Sequence, residues 1–365
     1  MHWRYEKFDL AARSRDEVLG QLKELFHDLL LQAGGDAEVA LEWMREIDRR
    51  YGIYSRGVSE EEFLEWLKEG GSVQAGEGGL VMGARAEREL RTESLDAIFG
   101  SLSRDATGDH RVADAGDGRE RLPETRPWRF GDPAELLDAA ASVRNALRRG
   151  VGDAGIELRE EDLEVYETEH LSSCATVLCL DLSHSMILYG EDRITPAKRV
   201  ALALTELVRT RYPKDYLAVV TFGDDAEEVP LDRLPYVSVG PYHTNTRGAL
   251  RLARSLLARR KQKNRQILMV TDGKPSALTE RDGEVYKNPF GLDRRVVSKT
   301  LEEADACRRE GIPITTFMLT DDPTLVEFVE RFTATNRGRA YYSGLGKLGD
   351  FLLVDYLRNR RRTVR

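Results

Sequence analysis

The feature that most constrains this chain is a short apolar run, residues 175–180, that ends in the string Asp181-Leu182-Ser183-His184-Ser185. An unbroken apolar run of that length suits a strand buried on both faces of a parallel sheet. Such a sheet needs helices on each side, and the downstream sequence supplies alternating patterns. Helical spacing is expected over 194–210, 246–258, 297–309, 325–332 and 347–357, and strands over 216–222, 266–271, 313–319 and 339–342. The fold class that follows is α/β, a doubly wound, mostly parallel sheet.

Upstream the periodicity changes. Val18, Leu19, Leu22, Leu25, Phe26, Leu29 and Leu30 recur at helical spacing until Gly34-Gly35 stops them. Asp36 can cap the next segment, and Ser59 with Glu62 forms a capping box ahead of Phe63, Leu64 and Leu67. With a further helix over 88–99, residues 1–102 are expected to form a helical module. Residues 103–133 are rich in Asp and Gly and poor in apolar side chains, which predicts a flexible linker. Residues 134–365 then form the sheet domain, opening with a helix over 133–149 and a strand over 163–169 and closing in a basic tail, Arg358 to Arg365.

Composition narrows the function. No apolar run approaches the roughly 18 residues of a membrane span. The charged start, Met1-His2-Trp3-Arg4, has no apolar segment after it, so a cytoplasmic location is expected. A net charge of −8 argues against non-specific nucleic-acid binding. Cys174, Cys179 and Cys307 are odd in number and form no C-x-x-C pair, which points to small buried residues rather than disulfides or zinc ligands.

In parallel sheets, ligands bind beyond the carboxyl ends of the strands. The run 175–180 leads into Asp181, and the strand over 266–271 leads into Asp272, so both carboxylates are expected on one edge. Ser183, Ser185 and Thr244 add hydroxyls. This donor set is hard oxygen throughout and suits Mg²⁺ or Mn²⁺ rather than a soft transition metal. Retained waters would complete the octahedron, and one position could accept a carboxylate from a partner protein. Strand-end turns and helix caps would explain one such pair, but not five residues in this order. No G-x-S-x-G occurs, and Gly344-Leu345-Gly346-Lys347 lacks the spacing of a phosphate loop.

The D-x-S-x-S of Asp181, Ser183 and Ser185, the loop threonine in His243-Thr244-Asn245-Thr246 and the strand-ending Thr271-Asp272-Gly273 together resemble the adhesion motif of von Willebrand factor A domains. The resemblance implies that Ser183 and Ser185 bind metal directly, Thr244 directly or through water, and Asp181 and Asp272 largely through water. His243 stands where the family often has glycine. A second set of segments resembles a bacterial CoxE-like group: Phe130-Gly131-Asp132-Pro133, Val143 to Leu147, Glu161 to Val165, Glu167-Thr168-Glu169, Asn336 to Ala340 and Leu352 to Tyr356. That resemblance implies a non-enzymatic adaptor that partners a MoxR-type AAA+ ATPase and its client protein, in client maturation or metal insertion. The alternatives are a metal-dependent hydrolase, for which His184 or His243 would be the local base, and a subunit of a chelatase-like complex.

Overall fold

The apolar run folds as the centre of a six-stranded sheet. The computed structural model describes residues 14–360 apart from 55–56, 77–78, 106–119, 130–133, 151–157, 170–172, 191, 241, 273, 281, 289, 291, 320–321 and 343–347. Gly273, the Gly344 to Lys347 loop, Phe130 to Pro133, much of the expected linker and the end of the basic tail therefore lie outside the described residues. The chain divides into two compact units, Met1–Ala106 with Cys174–Leu357, and Thr107–Ser173 with Arg358–Arg365.

The first unit opens with helices α1 (Arg15–Gln32), α2 (Ala37–Tyr51) and α3 (Glu60–Glu69), a hairpin of β1 (Val73–Gly76) and β2 (Gly79–Met82), and α4 (Ala84–Asp105). Their starts are where the capping chemistry places them. Asp36 accepts from the N–H groups of Glu38 and Val39, and Ser59 and Glu62 form the expected reciprocal box. Strands β1 and β2 pair antiparallel, Val73 opposite Met82.

The second unit holds β3 (Glu120–Pro127), α5 (Ala139–Arg149) and β4 (Glu164–Glu169). This corrects two expectations. Part of the segment expected as a linker is strand β3, and the strand expected over 163–169 pairs antiparallel with it in a separate two-stranded ribbon. The pairing left no apolar signature because polar contacts reinforce it. Thr125 Oγ1 donates to Glu164 Oε2 at 2.5 Å, and the register shifts between Arg121 and Thr125, around Pro123. Asp138 caps α5 through the N–H groups of Ala140 and Ala141, and the buried Asp162 receives Arg149 at 2.7 Å.

The sheet belongs to the first unit. Its strands are β5 (Cys174–Asp181), β6 (Tyr216–Phe222), β7 (Ala226–Val229), β8 (Asn264–Thr271), β11 (Ile314–Met318) and β12 (Arg339–Tyr342), with a small hairpin of β9 (Ala277–Thr279) and β10 (Val285–Lys287) outside it. The order is β12-β11-β8-β5-β6-β7, parallel except for the antiparallel edge strand β7. Helices α6 (Ile194–Arg211), α7 (Thr246–Ala258), α8 (Arg294–Arg309), α9 (Pro323–Asn336) and α10 (Leu348–Arg360) complete the expected alternation.

Every residue of β5 is buried, and its side chains alternate between two cores. Val177 and Cys179 face α7, α8 and α9, whereas Leu178 and Leu180 face α6 and α10. The second core does not stop at the sheet. It continues through Leu22, Phe26, Leu29 and Leu30 of α1, Met44 of α2, Phe63 of α3 and Leu90 of α4, so the helical module and the sheet share one hydrophobic core. Burying each of these side chains is worth about 1.5–3 kcal/mol, which makes the module part of the fold rather than an appendage. Lys198 of α6 pins the junction: its buried Nζ donates to Leu31 O and to Val237 O. Burial lowers its pKa to about 8.

Candidate metal centre

The site grows out of the end of β5. Asp181 is its last residue and is fully buried, so each carboxylate oxygen needs a donor. Oδ1 accepts the Ser183 N–H at 2.9 Å, and this local turn throws the chain over the sheet edge. Oδ2 accepts the Thr271 hydroxyl at 2.6 Å, from the end of neighbouring β8. One residue further on stands Asp272, whose carboxylate is favoured in its charged form by the Ser185 hydroxyl and the Lys274 N–H. Ser183 Oγ and Ser185 Oγ lie 3.0 Å apart. Four of the five residues singled out in the sequence are therefore joined by direct interactions at one point.

Thr244 reaches the same edge through its loop. It is buried, its N–H donates to Ser276 Oγ at 3.0 Å, and its carbonyl accepts from the N–H groups of Ser276 and Ala277. Ser276 follows Asp272 by four residues. From the other side, the His184 N–H donates to Tyr242 O at 3.1 Å. Asn245 locks the loop: its side chain receives the Gly248 N–H, capping α7, and donates to Asp224 O and to Thr279 Oγ1. His243 is held by Asp224, whose Oδ1 accepts the His243 N–H at 2.8 Å while Oδ2 receives Lys287. Thr271, Ser276, Asn245 and Asp224 are the supporting residues that the motif did not reveal. Asn245 alone carried a signal, as an N-cap type directly before a helix.

The electrostatics of this edge are set by two buried carboxylates. Asp181 is pushed up to about 7, first by burial and then by the charge of Asp272, and Asp272 is raised chiefly by burial. Two carboxylates that share a buried edge disfavour each other's ionisation. Asp272 Oδ1 is buried with no hydrogen-bond partner, an arrangement that costs about 1–3 kcal/mol or more when nothing compensates it. A divalent cation would reverse both penalties, and the donors offered are hard oxygens. Among the described residues, no cluster of three or more His, Cys, Asp or Glu side chains is placed to hold a metal ion. The three cysteines are free and buried, as expected.

Against known proteins, residues 174–357 match the family described as Rv0959-like protein, vWA domain, and residues 120–168 match the Rv0959-like third domain. Sheet order and family match define the class, a protein built around a von Willebrand factor A domain. Within that class the chain belongs to the Rv0959-like family. It is 34% identical over 343 residues to the uncharacterized protein Rv0959 of Mycobacterium tuberculosis and to the uncharacterized protein Mb0984 of Mycobacterium bovis. The alignment covers 92% of this chain and 48% of either relative, so the chain spans about half the length of the curated relatives it matches. Among solved structures it is similar to the vWF domain of the type V pili tip protein Mfa5 from Porphyromonas gingivalis, with 10% identity and a TM-score of 0.43 over 53% of this chain and 98% of that one. A von Willebrand factor type A structure from Catenulispora acidiphila gives 14% identity and a TM-score of 0.38, covering 54% and 44%. No described helix is long and apolar enough to cross a membrane.

Proposed function

We propose that the chain is a metal-dependent protein-binding adaptor. Mg²⁺ or Mn²⁺ is held at Asp181, Ser183, Ser185, Thr244 and Asp272, and a carboxylate of the partner completes its coordination. The observation that carries this reading is the buried, unpaired Asp272 Oδ1 beside a second buried carboxylate and two hydroxyls. A fold that maintains such an arrangement gains from a bound cation. The reading needs no catalytic residue on this chain. The partner, a MoxR-type AAA+ ATPase acting on a client, is supported by the CoxE-like segments along the sequence.

The test is a pull-down with the full chain immobilised, run in Mg²⁺ and again in EDTA, with retained proteins identified by mass spectrometry. The expected result is an AAA+ ATPase retained in Mg²⁺ and released by EDTA. Retention that ignores EDTA, or the same retention by Asp181→Ala, would contradict the reading. The hydrolase alternative predicts instead a turnover that His184→Ala or His243→Ala abolishes.

A further inference from the structure

We infer that the connection from α7 into β8 is a docking surface for an acidic segment of a partner protein, at the edge of the sheet opposite the candidate metal centre. The inference goes beyond the adaptor reading and does not depend on the metal. Residues 246–271 hold eight lysines and arginines and no aspartate or glutamate. Setting those eight positive charges aside from the net −8 leaves −16 on the rest of the chain, so the cations are segregated. Arg254 is answered by Glu303 and Glu310. Arg251, Arg259, Lys261 and Lys263 are exposed, and together with Arg260 and Arg265 they enter no ion pair among the described residues. Strand register fixes where they sit. Ala175, at the start of β5, pairs with Tyr216 on one side and with Arg265 on the other. The eight residues of β5 put this edge about 23 Å from Asp181.

The cations are held in place by their own contacts. Arg265 donates from Nη2 to Arg260 O at 2.7 Å and from Nε to Gln262 O at 3.0 Å, which folds the loop 260–265 back on itself. Arg260 in turn crosses to β6, where its Cζ lies 3.7 Å from the centroid of the Tyr216 ring. Stacking fixes the plane of a guanidinium. Among the described residues no acceptor meets that guanidinium: Arg260 Nε is buried without a hydrogen-bond partner, and so is the Tyr216 hydroxyl. An arginine oriented by a ring, with its donors unanswered, is a preformed fork for a carboxylate. Holding like charges side by side raises the energy of the bare surface, and an anion relieves it. Because the loop is already ordered, binding spends little on ordering it.

Two observations favour an acidic protein segment over a nucleic acid. Base stacking needs a free aromatic face, but Arg260 covers the Tyr216 ring, and residues 246–271 contribute none of the exposed large hydrophobics among the described residues. A nucleic acid also runs on past a patch of this size, over a chain that otherwise carries −16, whereas a short acidic segment ends with the patch. The same lack of exposed apolar side chains leaves nothing to enter a bilayer. The carboxyl edge and the amino edge of one sheet would then hold two proteins at once, as an adaptor requires.

The experiment selects from a random displayed peptide library with the full chain in EDTA, so that no divalent ion takes part, and measures the selected peptides against three variants. Lys261→Gln/Lys263→Gln removes two exposed cations that make no ion pair or side-chain hydrogen bond among the described residues, so it folds. Arg260→Lys keeps the charge and removes the planar fork. Arg49→Gln/Arg50→Gln makes the same change of charge at exposed positions of α2. The selected peptides should be rich in Asp and Glu. Lys261→Gln/Lys263→Gln should bind them about three- to ten-fold more weakly, as loss of exposed ion pairs implies, and high salt should shrink that difference. Arg260→Lys should also bind more weakly, and the α2 variant as the wild type does. Peptides without acidic residues, no enriched sequence, unchanged binding by either loop variant, or equal weakening in the α2 variant overturns the inference. Single-stranded DNA or phosphatidylserine vesicles that bind more tightly than the peptides, and lose binding in Lys261→Gln/Lys263→Gln, would assign the surface to nucleic acid or membrane and overturn it as well. With EDTA present throughout, each of these failures leaves the metal reading standing.

Discussion

At the scale of the residue, Asp181 carries the account. Its folded pKa, about 7, lies above its ordinary value of 3.8, so the folded, metal-free protein holds a proton that the unfolded chain has released. Stability of the metal-free protein should therefore fall as pH rises from about 4 to about 7 and then level off. Asp181→Asn keeps the size of the side chain and removes the charge. It should raise the denaturation midpoint of the metal-free protein at pH 8 and eliminate stabilisation by Mg²⁺. Urea denaturation in EDTA and in excess Mg²⁺ measures both, and a midpoint that drops in EDTA would contradict the origin given for the shift. The five motif residues were legible because order and strand context bring two acids and three hydroxyls together. Thr271, Ser276 and Asp224 were not, since each acts through hydrogen bonds across the chain that no local spacing encodes.

At the scale of the element, Asn336 shows how the far side of the sheet is held. It ends α9 and is buried. Its Oδ1 accepts the Ile314 N–H at 2.7 Å, and its Nδ2 donates to Ala304 O and Ile312 O. One amide thus joins α8, β11 and α9, and Asn336→Ala removes all three hydrogen bonds. The expected loss is about 2–4 kcal/mol of unfolding free energy, from several buried groups left unpaired. A urea midpoint within experimental error of the wild type would overturn that assignment. The sheet elements were readable because burial on both faces leaves an apolar run, as in β5, and because amphipathic helices repeat, as in α7. Strand β7 was not, because an edge strand carrying the exposed Glu227 and Glu228 has no apolar signal. Strand β4 was read, but β3 and its pairing with β4 were missed for a related reason, since polar contacts such as Thr125 to Glu164 accompany that pairing.

At the scale of the whole molecule, the N-terminal helices and the A-type sheet form one hydrophobic core. Lys198 bridges α1 to the segment at Val237, Tyr236 donates to Glu87 of α4 at 2.8 Å, and Arg91 of α4 pairs with Glu206 of α6. Charges on the module meet charges on the sheet domain around an apolar centre. That shared core was illegible in the sequence, because each helix displays only an apolar stripe and the stripe does not name its neighbour. Cooperative unfolding follows. In native-state hydrogen exchange, the slowest amides of α1 should open with the same free energy as those of β5. A large gap between the two, with α1 opening first, would show a separable module.

The central claim, a divalent cation at the five-residue edge, is tested most directly by titrating the metal-free protein with Mn²⁺ and following the free ion by electron paramagnetic resonance. The account predicts one saturable site per chain, competed by Mg²⁺, weakened as pH falls below about 7 and absent in Asp272→Asn. Binding retained in that variant, or no saturable binding in the wild type, would contradict it.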